Sequence, residues 1–89
     1  MNKDITLNSL DEIDNRPIGK KWNNLIMWDK KQFINKYITN DNSIQNEEKD
    51  SMLTKIYKHL DDKKPITQKN IEYDPDNCEI LNIDYQYFR

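Results

Sequence analysis

Asn70-Ile71-Glu72-Tyr73-Asp74-Pro75-Asp76-Asn77-Cys78-Glu79-Ile80-Leu81-Asn82-Ile83-Asp84-Tyr85-Gln86-Tyr87 decides the fold class. Leu81, Ile83, Tyr85 and Tyr87 alternate with Asn82, Asp84 and Gln86. Residues two apart share a face of a strand, so this period predicts a half-buried β-strand. Ile71 and Tyr73 flank Glu72 in the same rhythm. Between the two runs, Asp at the first and Pro at the second position of 74–77 is a type I turn signature. The expectation is antiparallel strands over 70–88 turning at 74–77, with Tyr85 and Tyr87 on the face of Leu81 and Ile83. The step Ile80-Leu81 shifts the alternation by one residue and predicts a bulge.

Upstream of Pro65 the period is helical. Met52, Leu53, Ile56, Tyr57 and Leu60 recur at helical spacing and predict a helix over 44–61. Glu47 and Glu48 near its start and Lys58, His59, Lys63 and Lys64 near its end complement the helix dipole. From 20 to 38, Trp22, Leu25, Ile26, Phe33 and Tyr37 form one stripe, and Met27, Ile34 and Ile38 a second. Asp29 falls within the first stripe. Either one helix is buried on two faces, or it breaks near Asp29, which then caps a new helix with Gln32 as its partner. The break is preferred, because it takes a carboxylate off an apolar face. Pro17-Ile18-Gly19 reads as a turn. Ser9 and Glu12 form a capping box for a short helix over 10–14. Ile5-Thr6-Leu7 is a short strand or part of an extended arm over 1–8. The fold class is therefore α+β: two to three helices followed by a small antiparallel β-hairpin or sheet, in one small domain spanning 1–89. Trp22, Phe33, Ile56 and Leu60 are expected in its core.

The chain has 89 residues, 35% hydrophobic and 34% charged, with a formal net charge of -2. One modest core is all that this length supports. No apolar run reaches the roughly 18 residues of a membrane span, and the start lacks the apolar region of a secretory signal. One cysteine cannot form an internal disulfide. A cytoplasmic protein is the expectation. Asn, Ile and Lys each occur 12 times, against one Gly and no Ala or Val. That bias points to a low-GC genome, such as that of a low-GC bacterium, its phage or plasmids.

The catalytic repertoire is thin. His59 and Cys78 lack the sequence context of a nucleophile and its base, so no catalytic residues and no enzyme activity are expected. A single His with a single Cys removes the usual structural zinc sites, and the acidic 74–79 segment fails the calcium-loop pattern. With one Gly there is no phosphate-cradling loop. No cofactor and no metal are therefore expected.

Two binding readings remain. The first is a non-enzymatic protein-binding module, an inhibitor of phage or plasmid type acting on a host enzyme or defence system, or a toxin immunity protein. The lack of a catalytic or cofactor set, the marginal core mass and surplus aromatics motivate it, and its candidate contact residues are Phe88, Asp84, Asn82, Gln86, Trp28 and Lys31. The second is a nucleic-acid-binding accessory protein using Lys20, Lys21, Trp22, Lys30 and Lys31, where lysine pairs flank tryptophans. The slight net acidity argues against the second. The acidic clusters are interleaved with lysines and read as solvated faces rather than as a nucleic-acid mimic.

Overall fold

In the computed structural model, residues 17–64, 66–67 and 69–88 are described. The expected helix over 10–14, the arm over 1–8 and Pro65 itself lie outside them. The element order is a 3₁₀ turn at Trp22–Asn24, helix α1 at Met27–Asn40, helix α2 at Asn46–Asp61, strands β1 at Ile71–Asp74 and β2 at Glu79–Ile83, and a second 3₁₀ turn at Tyr85–Phe88. The class is α+β, helices first and a two-stranded antiparallel sheet after them.

The 20–38 segment does break, but at Leu25 and Ile26 rather than at Asp29. Leu25 is extended, and its N–H closes the 3₁₀ turn on Trp22 O at 3.2 Å. Ile26 is the extended N-cap of α1 and supplies no side-chain acceptor. Asp29 then falls in the first turn of α1, where its charge suits the positive dipole end. With 22–26 off the helix, the expected pair of stripes becomes one. Phe33, Ile34, Tyr37 and Ile38 form a single face, with Ile34 and Ile38 fully buried.

Helix α2 buries Ile56 and Leu60 and half-buries Met52, Leu53 and Tyr57 against the same core. Tyr57 Oη donates to Lys31 O of α1 at 3.1 Å. Lys31 in turn lies 5.3 Å from the Tyr57 ring centre and 3.1 Å from Asp61 Oδ1. Lys49 Nζ donates to Thr39 O at 2.8 Å, satisfying a carbonyl at the end of α1. Helix α2 ends in a Schellman arrangement. Lys63 N–H donates to Leu60 O at 3.0 Å and Lys64 N–H to His59 O at 3.1 Å. This holds Lys63 in the left-handed region at φ 55°, a place that glycine usually fills.

In the hairpin Ile71 pairs with Ile83, Glu72 with Asn82, Tyr73 with Ile80 and Asp74 with Glu79. Leu81 is skipped, and that is the bulge expected at Ile80-Leu81. It turns Leu81 outward, 55% exposed, while Ile80 and Ile83 face the core. The 75–78 loop hangs on Asp74, whose carboxylate accepts from Asp76 N at 3.0 Å and Asn77 Nδ2 at 2.7 Å. These bonds hold the Asp74 carboxyl below its usual range. Gly19, at φ 82°, donates its N–H to Pro75 O at 2.7 Å and ties the 17–19 turn to this loop.

The strand expected to run on to Tyr87 stops at Ile83. Its neighbour β1 begins at Ile71, the partner of Ile83, so no ladder exists for residues beyond. Asp84 N–H makes one last bond to Asn70 O at 2.7 Å. Asp84 then starts the turn: its Oδ1 accepts from Gln86 N at 3.2 Å and its carbonyl from Tyr87 N at 3.2 Å. Tyr85 and Tyr87 therefore lie beyond the strand, and Leu81 and Ile83, expected on one face with them, are themselves split by the bulge. Tyr85 instead donates to Asp41 Oδ2 at 2.5 Å, joining the C-terminal turn to the α1–α2 loop.

Candidate functional site

Of the residues that sequence patterning nominates for a partner, Phe88 is misplaced. It is 1% exposed and packs edge-on to His59 at 5.0 Å, so it belongs to the core. Asn82, Asp84 and Gln86 are exposed at the end of β2 and in the turn after it. Lys31 is occupied by Asp61 and Tyr57, as above. Trp28 stands out at 64% exposure in the first turn of α1. Its neighbours Ile26 and Met27 are 63% and 37% exposed. Three consecutive large apolar side chains thus face outward where the 3₁₀ turn meets α1. Their exposure follows from the break: Ile26 caps the helix, and the core face of α1 begins only at Phe33.

The nucleic-acid candidates fare differently. Lys20 and Lys21 are exposed, but they sit before the 3₁₀ turn and are not on the helix that carries Lys30 and Lys31. Trp22 is 4% exposed, packed against Tyr73 at 5.9 Å. Lys30 Nζ lies 5.6 Å from the Trp22 ring centre and covers it. A base has no open ring to stack on at Trp22.

Beside the exposed apolar run lies a cleft of about 830 Å³ that sequence patterning did not nominate. Lys30, Lys63, Lys64 and Lys69 line it, with no carboxylate among the described lining residues. Its floor is Trp22, Leu60 and Ile66, and Met27 is shared with the apolar run. Each wall has a reason for its position. The Schellman ending of α2 fixes Lys63 and Lys64. The far wall is set by Asn70, buried in the loop before β1, whose Oδ1 accepts from Thr67 N and Thr67 Oγ1, both at 3.0 Å. Lys69 N–H adds a bond to Thr67 Oγ1 at 3.3 Å. Dipole complementarity accounts for lysines at the end of α2. It does not account for Lys30, which lies at the positive end of α1. Periodicity and charge place Lys63 and Lys64 only at the helix end; the left-handed turn that brings them beside Lys30 and Lys69 has no sequence signal, since Lys stands where Gly would mark it.

A smaller cleft of about 320 Å³ lies between α1 and the hairpin loop. Lys36, Asp41 and Glu79 give it mixed charge. At its edge Asp41 is held below the usual carboxylate range, chiefly by hydrogen bonds from Ser43 and Tyr85. Ser43 Oγ donates at 2.6 Å and Ser43 N at 2.9 Å. Burial pushes the phenols of Tyr85 and Tyr73 well above their ordinary value, aided by Asp41 and by the Cys78 thiol respectively. These bonds knit loops together.

His59 and Cys78 make separate contacts. His59 packs on Tyr87 and Phe88, and Cys78 Sγ faces Pro75 O at 3.8 Å. Among the described residues, no group of His, Cys, Asp or Glu side chains is placed to hold a metal ion, and no helix is long and apolar enough to cross a membrane. Compared with protein-family models, curated proteins and solved structures, the chain matches none.

Proposed function

We propose that this chain is a non-enzymatic protein-binding module of the cytoplasm, which acts by covering a surface of its partner in the manner of a small inhibitor or immunity protein. The observation that supports the reading best is the exposed run of Ile26, Met27 and Trp28. Single apolar side chains on a surface need no explanation, but three large ones in succession left in water are a candidate contact. Tryptophan is among the residues that most often dominate a protein interface. Of the contact residues expected from sequence, Trp28 is retained, Phe88 is withdrawn into the core, and Asn82, Asp84 and Gln86 stay available at the opposite end of the chain's fold order. The nucleic-acid reading loses its stacking ring with the burial of Trp22.

Hydrogen exchange of the complex tests this. A partner recovered by affinity capture from the native host should slow exchange at residues 26–30. Protection confined to 82–86 instead would move the interface to the end of β2.

A further inference from the structure

We propose that the cleft beside Met27 binds an acidic peptide segment of the protein partner, its Asp or Glu carboxylates facing Lys30, Lys63, Lys64 and Lys69. The inference rests on the protein-binding reading and names the chemistry of the partner. Three observations point the same way.

The first is charge. The chain as a whole is slightly acidic at -2, yet among the described residues this cleft gathers four lysines and no carboxylate. Like charges brought together around a concave surface reinforce one another and raise the local concentration of an anionic ligand. An anion binding there relieves repulsion among the lysines as well as gaining its own attraction. The second is size. At about 830 Å³ the cleft lies within the range of roughly 300–1,000 Å³ typical of ligand sites, large enough for several side chains of a peptide rather than one ion. The third is continuity. Met27 lines the cleft and also belongs to the exposed run with Ile26 and Trp28. A segment with one apolar side chain against Met27 and carboxylates on either side fills both surfaces. The Asn23 and Thr67 side chains at the cleft margin are polar neighbours for its backbone.

The same lysines attract phosphate, so a nucleic acid is the competing occupant. Single strands bind through stacked bases together with backbone charge. Among the described residues the only ring lining the cleft is Trp22, which is closed by packing and by Lys30. Inside the cleft that leaves charge alone for a nucleic acid, the open ring of Trp28 lying outside its lining, whereas a peptide also gains the contact at Met27.

Backbone amide resonances of the isotope-labelled full chain provide the test, during titration with a short peptide alternating Glu and Leu. Shifts should cluster at Asn23, Lys30, Lys63, Lys64 and Thr67, and added salt should weaken them. The matching Gln and Leu peptide should bind at least about tenfold more weakly, which a site read by charge requires. Lys64→Glu with Lys69→Glu should cost at least about tenfold in affinity for the Glu peptide, and Lys64→Gln with Lys69→Gln a smaller factor in the same direction. Lys36→Glu, in the other cleft, should change nothing. Equal binding of the Gln peptide overturns the proposal, as does tighter binding of a thymidine oligonucleotide at the same lysines. A captured partner that needs Trp28 but is indifferent to salt and to the Lys64 and Lys69 changes sinks the acidic-segment inference alone. A Glu peptide that binds in the cleft, with a partner that ignores Trp28, sinks the apolar-run reading alone.

Discussion

Replacing Lys63 with glycine should make the protein more stable, although it removes a side chain and a charge. Lys63 sits at φ 55° just past the end of α2, where its N–H and that of Lys64 bond to Leu60 O and His59 O at 3.0 and 3.1 Å. An L-residue in the left-handed region brings its Cβ too close to the following carbonyl, at a cost of about 1–2 kcal/mol. Glycine removes that clash. It also adds freedom to the unfolded chain, which takes back about 0.5–1 kcal/mol. The side chain is exposed, so little packing is lost. The net expectation is a gain of about 0–1.5 kcal/mol, with a midpoint of about 0.75 kcal/mol. For a domain of this length about 1 kcal/mol moves the melting temperature by roughly 4–8 °C, so the shift is measurable. Urea denaturation followed by far-ultraviolet circular dichroism reads it directly. Lys63→Ala is the control: it keeps the Cβ and should not share the gain. A glycine variant no more stable than the alanine variant would refute the left-handed Schellman ending, and with it the placement of Lys63 and Lys64 beside the cleft.

Two further changes probe the C-terminal turn. Phe88→Ala should cost about 3–5 kcal/mol in stability, because Phe88 is fully buried between α2 and the turn, and denaturant titration would show a midpoint near the wild type if the ring were instead a surface contact. Asp41 has a folded pKa below its unfolded value, so its hydrogen bonds to Ser43 and Tyr85 stabilise the fold above about pH 4 and are lost as pH falls through the folded value. Asp41→Asn should lower stability at neutral pH and flatten the loss on acidification, leaving a residual slope from Asp74; an unchanged acid slope would remove Asp41 as a contributor.

The hairpin was legible in the sequence because turn chemistry and alternation are local. Asp74 and Pro75 mark the loop, and adjacent Ile80 and Leu81 mark the bulge. The overrun to Tyr87 has a non-local cause. Alternation continues past Ile83, but a strand needs a neighbour, and β1 ends its pairing at Ile71. The break in 20–38 was half legible. A carboxylate in an apolar stripe signalled that something gives way, but the extended backbone at Leu25 and Ile26 places it earlier, and Asp29 proves compatible with a first helical turn. The site was the least legible part. Trp28 could be named as an aromatic that belongs to neither apolar stripe. Its exposure, and that of Ile26 and Met27, depends on where α1 starts. The lysine cleft joins residues from 30 to 69 through a left-handed Lys63 and a buried Asn70, and neither feature has a periodic signature.

Partner affinity of Trp28→Ala against wild type tests the binding reading most directly. Trp28 touches the surface rather than the core, so its removal should leave stability within about 0.5 kcal/mol of wild type. A tryptophan at the centre of an interface is worth about 2 kcal/mol or more, so the captured partner should bind roughly 30-fold more weakly to the variant. Equal affinity in wild type and variant, with both equally stable, would contradict the account.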